Sequence, residues 1–490
     1  MMLEIFLFAI YFGFFTWLTY KPNRNGVSQS KLLLPPGDEA IEIVTATPKE
    51  QVHNQPLVAV EVNLSNGIKN EYISSRLTSR QEVEENSTQS GRSELKSVEG
   101  ELAIALGNQS RQSLQLGEIP ATSREELKYD NQIINEAVEQ SRIAVVEKIK
   151  EFVDRKNNIT GSYKPLYELL TDYPFRIGKM LRPTMCISVA RSVGGMGQDA
   201  LTSAAALELY HNAFLIHDDI EDGSESRRGK GTLHQIIGVP RAINVGDATN
   251  VLAVGLLLEN LSAIGVSKAL NVLHEIEFMA QQSVEGQAME LDWVATNASN
   301  LTDQDYFKMC VKKTCWYTFI TPCRIGLIVG HPSASGKDLV KQLAGVTRFG
   351  MILGIAFQIQ DDLLNLQGQI ETYGKEIGGD IYEGKRTLML NHVLAQSGKA
   401  SEILEILALP REEKTPYQLT FIMEEMQRCG SIEHGWKVAR TLAKKAEEIF
   451  DNIDFIRPST PLRPEEEWGC PVHDGRFIKE LINYVIYRNV

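Results

Sequence analysis

The sequence predicts an all-α fold, a large antiparallel helical bundle, on three observations. From Asn131 onward apolar residues return at mixed three- and four-residue steps with charges between them, as Ile133, Ile134, Ala137, Ile143, Val145, Val146, Ile149 and Val153 do. Strand alternation is nearly absent over the same stretch. Finally, two acidic clusters about 140 residues apart each follow an apolar run with helical spacing.

After the first helix, which begins at Asn131, the same periodicity places long helices at 178–193, 200–217, 248–261, 267–288, 303–329 and 336–367. Shorter ones are expected at 388–395, 401–407 and 416–428, then a long one at 431–453 and a last one at 475–487. At 490 residues the chain exceeds the usual single-domain size, so one large helical domain (130–490) plus an extension is expected.

The extension has two parts. Residues 5–20 form an almost uninterrupted apolar run, marginally long enough to cross a bilayer, with Trp17 and Tyr20 where interfacial aromatics stand. No basic region precedes it and no small-residue cleavage site follows, which favours an anchor (1–21) over a removable signal. Lys21 and Arg24 on its far side leave the rest of the chain in the cytoplasm by the positive-inside rule; a partly buried amphiphilic helix on a soluble cytoplasmic protein is the alternative. Residues 22–129 are poor in aromatics and rich in Ser, Asn, Gln and Glu, so they read as a disordered tether with at most marginal strands near Ile41 to Val44 and Leu57 to Val62.

Lys and Arg number 50 against 63 Asp and Glu, a net charge of −13, which argues against a nucleic-acid partner. Six cysteines are too few for a disulfide scaffold. Cys310, Cys315 and Cys323 cluster without zinc-site spacing and read as buried, reduced hydrophobes.

The chemistry lies in the acidic clusters, Asp218-Asp219-Ile220-Glu221-Asp222 and Asp361-Asp362-Leu363-Leu364-Asn365. On a helix Asp218 and Asp222 stack one above the other with Asp219 beside them, a patch that repels itself unless hard cations neutralise it. Mg²⁺ takes such oxygen ligands and shares its site with substrate phosphates. Taken alone, either run reads equally as a solvated acidic face. The basic groups interleaved with them decide against that: Lys179 and Arg182 upstream, Arg227-Arg228 in the loop after the first cluster, Lys313-Thr314, and Lys375 and Lys385 beyond the second. Arginine forks bind phosphate oxygens bidentately. In a bundle, ligand sites form among side chains on facing helices, so both clusters are expected at one mouth of a deep apolar central cleft.

Taken in order, Gly178-Lys179 through Arg182-Pro183, His211, the first DDxxD, Arg227-Arg228-Gly229, Lys313-Thr314, Phe357-Gln358-Ile359-Gln360-Asp361-Asp362, and Lys375 with Asp380 and Lys385 resemble the trans-isoprenyl diphosphate synthases over roughly residues 130 to 490. The resemblance implies a short-chain prenyltransferase, usually a homodimer, in which an allylic diphosphate ionises and isopentenyl diphosphate attacks the resulting cation. It implies that Asp218, Asp219 and Asp222 hold two Mg²⁺ ions and Asp361 with Asp362 a third. Arg227, Lys313 and Lys385 would grip the allylic diphosphate, and Lys179, Arg182, His211 and Arg228 the isopentenyl diphosphate. Lys375 belongs to the same substrate-binding set. Thr314 and Gln358 would stabilise the cation, and the released diphosphate would accept the proton.

Some residues keep a second reading. His211 also reads as a core histidine, His217 as a residue that orients Asp218, and Gln287 and Asp292 as structural. The second cluster ends in Asn365 rather than Asp, which removes a charge but leaves the first two carboxylates, and the family it resembles includes members with that same Asn. The stretch from Arg457 to Asp474 looks like an insertion without assigned role. Phe214 and Ala213, about a turn below Asp218, suggest a moderate floor for a growing chain and a C15 to C20 product, C20 ahead, with longer chains as an alternative. A class I terpene cyclase also uses two metal motifs, but needs no second diphosphate pocket.

Overall fold

A computed structural model of the chain describes residues 131–176, 178–368, 377–467 and 469–487, together with four short strands before residue 64. The apolar run 5–20, most of the stretch 22–129, and Lys375 lie outside the described residues. The chain divides into two compact units, Met1–Ala121 and Thr122–Val490.

In the first unit β1 (Lys21–Pro22), β2 (Ser28–Leu32), β3 (Ile41–Thr45) and β4 (Val60–Asn63) pair antiparallel in that order. Ile43 stands opposite Ser30 on one side and Val62 on the other. The alternating β-branched residues of β3 and β4 suit such cross-strand pairing, and these two short strands fall where marginal strands were expected.

The second unit is helical. It opens with α1 (Asn131–Asn157), α2 (Lys164–Leu170), α3 (Asp172–Phe175), α4 (Leu181–Ser192) and α5 (Gly197–Glu221). A tight hairpin of β5 (Ser226–Arg227) and β6 (Lys230–Gly231) leads to α6 (Leu233–Ile237), α7 (Val239–Leu257), α8 (Asn260–Ala263) and α9 (Val266–Ala295). Then come α10 (Asp303–Cys310), a π-helix (Val311–Ile320), α11 (Thr321–Gly330) and α12 (Lys337–Gln367). The chain finishes with α13 (Gly379–Glu383), α14 (Leu388–Gln396), α15 (Ala400–Leu407), α16 (Pro416–Arg428), α17 (Ser431–Asp451) and α18 (Gly475–Tyr487).

Among these, α5 and α12 form the core struts. Helix α5 packs on α4 and α7, while α12 packs on the π-helix and α17. Close crossings depend on small residues: a β-carbon on Gly326 or Gly330 would come within 2.4 Å of the Cys186 carbonyl or 2.2 Å of the Ala190 carbonyl, so α11 meets α4 backbone to backbone. Val239–Ala263 and Lys337–Gln367 are apolar and long enough to cross a membrane by length and composition, yet the second is 61% buried inside the bundle.

The stretch from Arg457 to Asp474 is a strap over the end of α4. Its anchor is Arg191, 1% exposed, which donates to the carbonyls of Cys470 and His473 at 3.0 Å and to Glu466 Oε1 at 2.7 Å. His473, buried under this strap, is pushed down to about 4 by burial. The strap thus fixes the helix whose other end carries Arg182.

Candidate active site

The first acidic cluster closes α5, with Asp222 as its C-cap. Carboxylates at the negative end of a helix are unfavourable unless cations answer them, and three do. Lys385 donates to Asp222 Oδ2 at 2.6 Å, Lys313 to Asp218 Oδ1 at 3.3 Å, and Arg227 Nε lies 2.8 Å from both oxygens of Asp219. Tyr173 adds a hydrogen bond to Asp219 Oδ2 at 2.6 Å. Asp219 is fully buried with both oxygens carrying these donors, whereas Asp218 and Asp222 lie nearer the cleft.

The hairpin that presents Arg227 and Arg228 is held from α3 and the residue after it. Arg176 stacks over the Tyr173 ring at 4.4 Å and donates to the carbonyls of Arg227 at 3.2 Å and Gly231 at 2.9 Å. Arg228 takes a left-handed backbone, φ 54°, which swings its guanidinium against Gly178, where any β-carbon would be 2.8 Å away. That brings Arg228 beside Lys179. Arg182 donates to Thr318 at 2.8 Å and covers the Tyr317 ring at 4.4 Å, and the His211 ring stacks on the same tyrosine at 5.7 Å. From α18, Tyr484 meets the Lys179 ammonium at 5.9 Å. Arg182, His211 and Arg228 thus gather near the first cluster, with Lys179 next in the chain to the Gly178 that Arg228 packs against.

At the second cluster Asp362 receives Tyr306 on Oδ2 at 2.6 Å and the Gln358 amide on Oδ1 at 2.7 Å, and Thr314 donates to Gln358 Oε1 at 2.7 Å. Asn365 turns to another task. Its side-chain oxygen accepts from the Asp380 amide at 3.1 Å and its carbonyl from Gly378 at 2.7 Å, pinning the segment that leads to Lys385. Gly378 and Gly384 bracket α13 at φ 75° and 73°, conformations that favour glycine and deliver Lys385 toward Asp222.

Glu290 of α9 links the two clusters electrostatically. Glu290 is buried, ion-pairs with Lys313, and acts electrostatically on both Lys385 and Asp362. The sequence reading picked out its neighbours Gln287 and Asp292 instead; Gln287 donates to Glu221 at 2.6 Å. The helical step from Gln287 to Glu290 was the available signal. Glu208 was also missed: one turn before His211, fully buried, it accepts from Asn212 at 3.0 Å and feels Arg228 and Arg182. Burial raises its carboxyl and those two guanidinium groups oppose the rise.

Burial pushes Asp222 up to about 7, Lys385 pulling it back, and pushes Asp362 up to about 7 as well, with Tyr306 and Gln358 pulling back. Burial alone would lower Lys313 and Lys385, but Glu290 and Asp218 around the first and Asp222 and Glu383 around the second hold both well above the ordinary lysine value. Burial thus leaves Asp222 and Asp362 short of compensating charge even with the lysines in place. Hard oxygen donors with such a deficit suit a divalent cation, and Asp218, Asp222, Asp361 and Asp362 supply that chemistry. As the chain is arranged, no three His, Cys, Asp or Glu side chains among the described residues stand at metal-binding separation. At the first cluster Arg227, Lys313 and Lys385 occupy the carboxylates.

The chain resembles known proteins in sequence and in fold. The sequence model of the family described as polyprenyl synthetase matches residues 164–426. The chain is 32% identical over 308 residues to a geranylgeranyl diphosphate synthase of Saccharolobus solfataricus, covering 61% of this chain and 87% of that protein. It is 30% identical over 286 residues to an octaprenyl diphosphate synthase of Escherichia coli, covering 58% and 82%. The crystal structure of a geranylgeranyl pyrophosphate synthetase from Pyrococcus horikoshii superposes with a TM-score of 0.60 at 28% identity, over 73% of this chain and 99% of that one.

Proposed function

Since the chain belongs to the polyprenyl synthetase family and is a trans-prenyltransferase, we propose that it condenses isopentenyl diphosphate with allylic diphosphates to a C15 to C20 all-trans product, geranylgeranyl diphosphate ahead. The observation that carries this reading is the pair of separate cationic groups. A cyclase ionises one diphosphate, but here Lys313, Lys385 and Arg227 gather at the first acidic cluster while Arg182, His211 and Arg228 gather near it, with Lys179 next in the chain to Gly178.

The hard step is separation of charge between an allyl cation and a departing diphosphate. Three Mg²⁺ ions, two at Asp218 and Asp222 and one at Asp361 and Asp362, would neutralise charge on the departing oxygen. In this reading Asp219 serves through Arg227, which it holds and whose charge it keeps. Lys313 and Lys385 exchange their carboxylate partners for diphosphate oxygens, a preorganised set of donors in a site with little water. Thr314 and Gln358 turn oxygen dipoles toward the cationic carbon. The second group holds isopentenyl diphosphate with its double bond in attacking position. The proton lost after attack goes to the released diphosphate. Lys375, outside the described residues, would add a further cation.

Below the first cluster Phe214 touches Tyr317 at 5.8 Å and Tyr210 at 6.2 Å, a ladder of rings that would stop the growing tail. The similarity to an octaprenyl diphosphate synthase supports a longer product as the second reading. We also read the chain as a homodimer. Ile243 and Val251 on α7 and Val266, Leu270 and Val284 on α9 are large apolar side chains left exposed. The apolar run 5–20 would anchor the catalytic domain, 130–490, to the cytoplasmic side of a membrane through the 22–129 tether.

Incubation with isopentenyl diphosphate, Mg²⁺ and each allylic starter in turn, reading product length by chromatography, tests the proposal. C20 product supports it, C40 product moves the assignment to the longer-chain reading, and hydrocarbon from geranylgeranyl diphosphate alone contradicts it.

A further inference from the structure

The two acidic clusters share a feature that the reaction scheme leaves unused. In each, the second carboxylate is held by a buried phenol from another helix: Tyr173 of α3 on Asp219 and Tyr306 of α10 on Asp362, both at 2.6 Å. Each tyrosine is 1% exposed. The remaining partners differ. Asp219 faces the full charge of Arg227, so its negative charge is balanced inside the protein. Among the described residues Asp362 carries the neutral Gln358 amide besides its phenol, and the charges of Asp361 and Glu290 that act on it are both negative. A carboxylate buried among neutral donors and negative neighbours keeps its charge only with a cation beside it, and Tyr306 and Gln358 supply none. The phenol and the amide also take one lone pair on each oxygen, which stops the carboxylate from rotating and fixes where its other lone pairs point.

We propose that Tyr306 is a positioning residue for the cation at the second acidic cluster, and that Tyr173, its counterpart, serves the Arg227 anion clamp instead. The inference rests on the reading of Asp361 and Asp362 as cation ligands. Tyr173 is wired for its different task. Its oxygen accepts from the Leu233 amide at 3.1 Å, and its ring lies under Arg176, which grips the hairpin carrying Arg227. Loss of the same oxygen at the two positions therefore has two different consequences.

Mn²⁺ binding to the full chain in the presence of inorganic diphosphate, followed by electron paramagnetic resonance, separates them. Tyr306→Phe is expected to weaken one class of Mn²⁺ site by about tenfold or more, the usual effect of removing a group that orients a ligand. Tyr173→Phe is expected to leave Mn²⁺ affinity within about twofold and to raise the allylic KM. Tyr306→His, which keeps a donor at that position, recovers part of the affinity. Asp362→Asn is the benchmark. If it leaves Mn²⁺ binding unchanged, the cation reading of the second cluster fails. If it loses the site while Tyr306→Phe, melting like the parent, retains it, the role of Tyr306 is overturned. Where Tyr306→Phe does not fold, Tyr306→Met, which also lacks the donor, takes its place: Mn²⁺ binding weaker by about tenfold with intact melting supports the role, and binding like that of the parent overturns it.

Discussion

Gly286 lets α9 run directly against the backbone of Lys313: a β-carbon at 286 would come to 2.2 Å from the Lys313 nitrogen. The same crossing brings Glu290, one turn further along α9, into its ion pair with the Lys313 ammonium. The position of this lysine is therefore set by a missing side chain as well as by a charge. Gly286→Ala should force the π-helix away, costing about 1–3 kcal/mol as overpacking does. Thermal melting should show the loss, and the allylic KM should rise with it. An unchanged melting temperature would mean that the π-helix yields without resistance.

The metal-free protein should lose stability as pH rises. Asp222 and Asp362 sit at about 7 when folded against an ordinary value of 3.8, so the folded chain binds more protons than the unfolded chain between those limits. Stability then falls as pH climbs from about 4 to 7. Mg²⁺ should reverse this by replacing the protons. The rise in melting temperature on adding Mg²⁺ to chelator-treated protein should grow between pH 5.5 and 8. An equal rise at both pH values would place the cation elsewhere.

Much of this site was legible in the sequence because its chemistry is written in local spacing. The carboxylates of Asp218 and Asp222 and the ordered basic motifs needed no tertiary information. Long-range partners did not show. Glu208 and Tyr306 look like ordinary helix residues until folding brings Arg228 and Asp362 to them. The helices at 416–428 and 475–487 run as expected, since periodicity and end signals agree there. By contrast α7 begins at Val239 rather than 248: Pro240, within its first turn where proline is tolerated, disguises the start. The single helix expected over 303–329 is interrupted by the π-helix carrying Lys313 and Thr314, because apolar periodicity does not distinguish a π-turn from an α-turn. Short elements such as α3, which aims Tyr173, lack the length for any period to register.

Product length should respond to the ring ladder. Phe214→Ala removes the upper ring that contacts Tyr210 and Tyr317 and should lengthen the product. Ala213→Phe should shorten it, at a packing cost of about 1–3 kcal/mol because Ala213 is fully buried. Chromatography of the dephosphorylated products reads both. Unchanged products from both variants, with melting intact, would mean that the tail runs along another wall.

The account depends on two acidic clusters acting together on one leaving diphosphate. Single-turnover rates with isopentenyl diphosphate and an allylic starter, measured for Asp218→Asn and Asp361→Asn across a Mg²⁺ series, test this most directly. Each variant should lose about 10²-fold or more in rate at saturating Mg²⁺, the scale of removing one preorganised charge contact. Full turnover in either variant, or turnover in the presence of a chelator, would contradict it.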